Sequence, residues 1–183
     1  FFQQSYHYPH HYNHAMMFKT QERIDSKAVK AIFTRIQEHH DALRMTYRRE
    51  KDSETGKWQI VQTNQGPDHP LFLEEIDMTG QEPGEALKLL EAKADEIQAG
   101  IDLEKGPLMK VGLFHLEDGD RLLIVLHHLV VDGISWRILF EDINHLMDGY
   151  KKNQPLRLPL KTDSFKTWAE HLHRYAASEE LSR

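Results

Sequence analysis

The stretch RLLIVLHHLVVDGISW, residues 121–136, runs from an apolar segment into two adjacent histidines, an aspartate and a glycine. Residues 121–129 read as a strand, because a short apolar run that follows a turn signal suits the inside of a sheet. Side chains alternate along a strand, so Leu122, Ile124, Leu126 and His128 share one face while Leu123, Val125, His127 and Leu129 share the other. The two histidines therefore point opposite ways. His127 is expected among apolar neighbours with its nitrogens hydrogen-bonded, and His128 at the strand's end, facing a cleft. The same divergence argues against a metal, since adjacent ligands on a strand do not converge on one ion.

Asp132-Gly133 is expected to turn the chain, Gly133 tolerating a backbone that other residues resist, with a helix starting near Ser135. The positive end of that helix and its free amides would disfavour a charged imidazole nearby, leaving His128 neutral and available as a base, and would support a developing oxyanion. Taken alone, the stretch fits a hydrogen-bonded core pair as well as a catalytic one.

Outward from this stretch, helical spacing of apolar residues marks four helices. One follows Ser26 as N-cap with Val29, Ile32, Phe33 and Ile36 on a face. The next opens near Pro83, carries Leu87, Leu90, Ala94, Ile97 and Ile101, and meets Gly100. A third, over 134–152, aligns Ile138, Leu139, Ile143, Leu146, Met147 and Tyr150, and a fourth, over 163–178, aligns Phe165, Trp168, Leu172 and Tyr175. Strand-like runs fall at 42–50, 57–62, 71–77, 107–116 and 121–129, the last two joined by the hairpin signal EDGD. HHYNHAMMF, residues 10–18, fits either an edge strand or an ordered loop, and 152–162, with two prolines, is a connector. The order predicts an α/β layered lobe, helices packed on a sheet whose central pair is the 107–116 and 121–129 hairpin.

Composition bounds the function. At 183 residues and 39% hydrophobic, the chain is sized for one domain or one lobe. A net charge of −6 with no basic run excludes the electrostatic footprint of a nucleic-acid binder, and no run approaches the roughly 20 apolar residues of a membrane span. The absence of cysteine rules out disulfides and thiolate metal sites, and cytoplasm is the expected compartment. The clustered His7, His10, His11 and His14 are expected in an exposed polar loop, their spacing being irregular for a metal site.

The motif HHLVVDG (127–133) resembles the His-His-three-residues-Asp-Gly signature of the condensation superfamily of nonribosomal peptide synthetases, which shares the chloramphenicol acetyltransferase-like fold. DGISWRILFEDI (132–143) is similar to the epimerization-domain version of that segment, where Ser-Trp-Arg-Ile-Leu follows the glycine. FFQQ with HHYNHAMMF, HHDALRMTY (39–47), GPLMKVGLFHL (106–116) and DSFKTWAEHL (163–172) resemble further segments of the family in order along the chain.

The resemblance implies a set of roles. His128 corresponds to the catalytic histidine, His127, Asp132 and Gly133 to supporting members of the motif, and Arg44 to an arginine that pairs with Asp132 and fixes the loop. Ser135 and Trp136 are candidates for lining the tunnel of the substrate arm, with Trp136 better suited to the core. The implied activity is L-to-D epimerization of an aminoacyl or peptidyl thioester carried on the phosphopantetheine arm of a peptidyl carrier protein domain, with no cofactor bound directly and an adenylation domain loading the carrier. Peptide-bond condensation and a non-catalytic carrier-docking module are the alternatives. Family domains exceed twice this length, so residues 1–183 are expected to be the amino-terminal lobe, and the partner glutamate of the reaction to lie in the carboxy-terminal lobe, which is absent here.

Overall fold

A computed structural model describes residues 1–2 and 8–178. After a 3₁₀ turn at Pro9–His11 the chain forms β1 (Asn13–Thr20), α1 (Ser26–His39), β2 (Met45–Lys51), β3 (Trp58–Asn64), β4 (Phe72–Asp77), α2 (Pro83–Ala99), β5 (Met109–Leu116), β6 (Gly119–His127), α3 (Gly133–Lys151) and α4 (Phe165–Ala176). The α/β layering expected from the sequence is present.

A four-stranded sheet has the order β1-β6-β5-β4, with β4 and β5 parallel and the other pairs antiparallel. The β5–β6 hairpin is its centre, and β2 and β3 form a separate two-stranded sheet. Gly119 makes the hairpin turn at φ +107°, a backbone region that a Cβ disfavours, and a Cβ there would also strike the Thr20 backbone.

Alternation along β5 and β6 builds a core on each face. Met109, Val111, Leu113, Ile124 and Leu126 meet Val29, Ile32, Phe33 and Ile36 of α1 and Trp136, Leu139, Ile143 and Leu146 of α3. Phe114, Leu116, Leu123 and Val125 meet Ala86, Leu90, Ala94 and Ile97 of α2 on the opposite face. Gly112 permits the close approach of α2: a Cβ there would lie 2.8 Å from Ile97 Cδ1.

Several boundaries differ from the sequence expectation. Asp25, not Ser26, caps α1, its carboxylate accepting the Lys27 N–H, because Asp25 is the residue in extended backbone ahead of the first turn. Leu87 of α2 and Ile138 and Met147 of α3 are exposed, and Ala86 takes the buried place that periodicity gave to Leu87. The apolar stripe of α4 faces outward, Phe165, Trp168, Leu172 and Tyr175 each being about half exposed. Residues 10–18 resolve into the end of the 3₁₀ turn and most of β1, so His14 lies in a strand rather than a loop. His10 and His11 are exposed, and His7 lies outside the described residues.

Candidate active site at the end of β6

β6 ends at His127, and the divergence of the two histidines follows from that position. His127 is fully buried. Its Nδ1 accepts the Leu129 N–H at 3.1 Å, and its Nε2 lies 2.8 Å from the Pro9 carbonyl, which only accepts, so the ring proton sits on Nε2. Burial holds this imidazole below the usual histidine range; the charges of His10 and His128 act in the same direction and the Pro9 carbonyl opposes them. Both nitrogens are engaged in structure.

His128 is half-buried, one residue beyond the strand. Its backbone N–H reaches Tyr12 O at 2.8 Å, which extends the β1–β6 ladder by one more rung. Its Nδ1 lies 2.8 Å from the Val131 carbonyl. That contact requires the proton on Nδ1, so in the neutral ring Nε2 carries the lone pair. Among the described residues, Nε2 has no hydrogen-bond partner. This is the arrangement a general base needs.

Two side chains not expected at this site enclose the ring. In the β1–β6 register Asn13 faces His127 and His14 faces Leu126, so Tyr12 is opposite His128 and His14 is its diagonal neighbour on the same face. Accordingly the Tyr12 ring stacks on His128 at 5.0 Å and 17°, and the His14 ring approaches to 4.0 Å. The available signal was the Tyr-x-His spacing on an edge strand, legible only once the register is known.

α3 begins immediately after the motif. Asp132 is its N-cap, one carboxylate oxygen accepting both the N–H and the hydroxyl of Ser135 at 2.7 Å. The Ser135 hydroxyl, then its amide, hold the Asp132 carboxyl below the usual carboxylate range, His128 contributing least. The expectation of free amides supporting an oxyanion is therefore corrected: Asp132 already engages the positive end of α3. Gly133 is corrected too. Its φ is not in the left-handed region, and a Cβ there would meet nothing within 4 Å. It is the first helical residue, and the helix starts there rather than near Ser135.

Trp136 belongs to the core, 3% exposed and stacked on Phe140 at 5.3 Å, which removes it from the candidates for lining a tunnel. Its indole N–H donates to His14 Nδ1 at 3.2 Å.

Arg44 does not pair with Asp132. It is buried in a 3₁₀ turn at Asp41–Arg44, where its guanidinium donates to the carbonyls of Gln37, Glu38 and Gln65 and to Asp41 Oδ1 at 2.7 Å. The carbonyls of Gln37 and Glu38, in the last turn of α1, have no further helical amides to accept, and Arg44 satisfies them. Thus the structure brings together His127, His128, Asp132, Gly133, Ser135 and Trp136, and leaves Arg44 with α1.

The family model described as condensation domain matches residues 1–183. The chain belongs to the condensation-domain family. It is 46% identical over 175 residues to tyrocidine synthase 2 of Brevibacillus parabrevis, covering 95% of this chain and 5% of that one. It is 43% identical over 180 residues to gramicidin S synthase 1 of Brevibacillus brevis, 98% of this chain and 16% of that one. Among solved structures, the epimerization domain from the third module of tyrocidine synthetase B matches at 45% identity and TM-score 0.83, covering 94% of this chain and 38% of that one. The starter condensation domain of rhizomide synthetase shares the fold at 18% identity and TM-score 0.73, over 95% of this chain and 40% of that one. This condensation-family chain therefore spans a small part of multidomain synthetases and under half of the solved domains it resembles.

A groove of about 980 Å³ between β3 and α4 lies apart from β6, and a hollow of about 460 Å³ between β1, α1 and α3 reaches Leu122 and Ile124 of β6 without including either histidine of the motif. His39, His40 and Asp142 bring donor atoms within 4.8 Å of one another. His40 Nε2 is already 2.8 Å from Asp142, tying α1 to α3. No helix among the described residues is long and apolar enough to cross a membrane.

Proposed function

We propose that this chain is the amino-terminal lobe of an epimerization domain that inverts the α-carbon of an aminoacyl or peptidyl thioester held on a carrier protein. The observation that carries the proposal is the His128 ring: Nδ1 engaged by Val131 O, Nε2 directed away from that bond, on a chain 45% identical to an epimerization domain. Trp136 in the segment after the motif supports epimerization over condensation, as does the lower identity, 18%, to a starter condensation domain.

A thioester acidifies the α-proton. His128 Nε2 takes that proton, the C–H electron pair passes into the enolate, and an acid on the opposite face returns a proton to carbon with inverted configuration. His128 then loses its proton to solvent, and the acid regains one. The second group belongs to the carboxy-terminal lobe, whose position opposite His128 also supplies the far wall of the cleft. The phosphopantetheine arm of the carrier domain presents the thioester, after an adenylation domain has loaded it.

The test is D/L exchange on a single loaded carrier. The complete two-lobed domain should epimerize with one carrier present, and the 183-residue chain alone should not. Product formation that requires two loaded carriers would replace epimerization with condensation, and D-product formation unaffected by His128→Ala would leave only a docking role.

A further inference from the structure

The geometry points to a proton-directing role for Trp136 and His14: the indole N–H, by occupying His14 Nδ1, keeps that imidazole uncharged, so that the proton taken from substrate resides on His128 alone. The inference rests on the reading of His128 as the acid–base group and adds two positioning residues to it.

Two imidazoles whose centroids are 4.0 Å apart oppose each other's charging, because each cation raises the cost of the other. Such a pair takes up protons in two macroscopic steps, and the neighbours decide which ring charges first. Here they are asymmetric. His14 Nδ1 receives the Trp136 N–H at 3.2 Å, so charging His14 breaks that bond and orphans a donor buried in the core. The donor is not free to turn away, because the indole is 3% exposed and stacked on Phe140 at 5.3 Å. His128 suffers no such loss, since its Nδ1–H···O bond to Val131 survives protonation of Nε2.

The other groups around His128 do not reverse this order. The Tyr12 ring stacks on it from the segment before β1. The Asp132 carboxylate at the start of α3 interacts with it favourably when His128 is charged. His127 on β6 is held neutral by burial and by the Leu129 N–H that its Nδ1 accepts, against the opposing pull of the Pro9 carbonyl.

The experiment follows both rings by ¹⁵N–¹H correlation NMR in the 183-residue chain across pH 4–9 (a range about 2.5 units either side of the ordinary histidine midpoint). In the wild type, His128 should take the first proton and His14 the second, with neutral His14 protonated on Nε2. Trp136→Phe retains the stack on Phe140 and removes the donor. It should raise the His14 midpoint and lower that of His128 by about half a unit or more. His14→Gln keeps an acceptor for the indole and cannot charge, so His128 should titrate as in the wild type. The inference is overturned if wild-type His14 charges first or if neutral His14 carries its proton on Nδ1. It is equally overturned by a His128 midpoint that ignores Trp136→Phe or that shifts in His14→Gln. If Trp136→Phe fails to fold, the wild-type protonation order and His14→Gln still decide it. None of these readouts depends on turnover, so they stand or fall separately from epimerization. In the complete domain Trp136→Phe should lower kcat with KM unchanged and shift the pH profile of kcat with the His128 midpoint.

Discussion

His127 and His128 are joined by one peptide bond and occupy opposite regimes. His127 is fully buried, with Nδ1 and Nε2 bonded to Leu129 and Pro9. His128 is half-buried, with one nitrogen bonded to Val131 and the other available. Strand alternation alone separates them, sending one ring toward the α2 face and the other toward β1 and α3. A duplicated residue type at a strand end thus divides into a ring committed to structure at both nitrogens and a ring with one nitrogen to spare. Sequence identity at either position says nothing of the role without the pleat.

The sharpest way to break the comparison is to remove each ring in turn. His128→Ala in the complete domain should lower kcat for epimerization by about 10²- to 10⁴-fold while the melting transition barely moves. His127→Ala should act first on stability. It should cost about 3 kcal/mol in chemical denaturation, because it opens a cavity and leaves the Pro9 carbonyl and the Leu129 amide without a partner.

Acid separates the pair in a second way. The folded His127 midpoint lies below its unfolded value, so below the ordinary histidine value of about 6.5 the unfolded chain binds more protons than the folded one. Stability contributed by neutral His127 is therefore present above that range and lost as pH falls through it. Denaturation midpoints of the wild type should decline on acidification more steeply than those of His127→Gln.

A smaller effect tests the motif aspartate. Asp132→Ala removes the cap of α3 and should cost about 1 kcal/mol, with Asp132→Asn recovering most of it, since asparagine also caps. The smallest is a null: in a double-mutant cycle of Arg44→Ala and Asp132→Ala the stabilities should add within about 0.5 kcal/mol. A larger coupling would restore the pairing that family resemblance implied.

How far the sequence carried varies with the kind of interaction. The α/β layers, the β5–β6 hairpin and the opposed histidines were legible because periodicity reports which side of an element is apolar. The neighbours of His128 were not, because Tyr12 and His14 reach it through the register of β1 on β6, a pairing between residues more than a hundred positions apart. Arg44 misled for a related reason. A charged residue beside a strand reveals that it needs partners, and the carbonyls at the end of α1 were invisible as acceptors until the turn at Asp41–Arg44 placed them. Leu87 and Ala86 show the limit of periodicity itself, since a small residue can hold the position nearest a sheet.

The bond from His127 Nε2 to Pro9 carries an implication for chain order. It anchors the 3₁₀ turn that launches β1, and so fixes where Tyr12 and His14 arrive beside His128. The buried histidine is in effect the hinge pin on which its neighbour's surroundings hang. Clipping the first eleven residues would leave β6 intact and still scatter the enclosure of the ring next door.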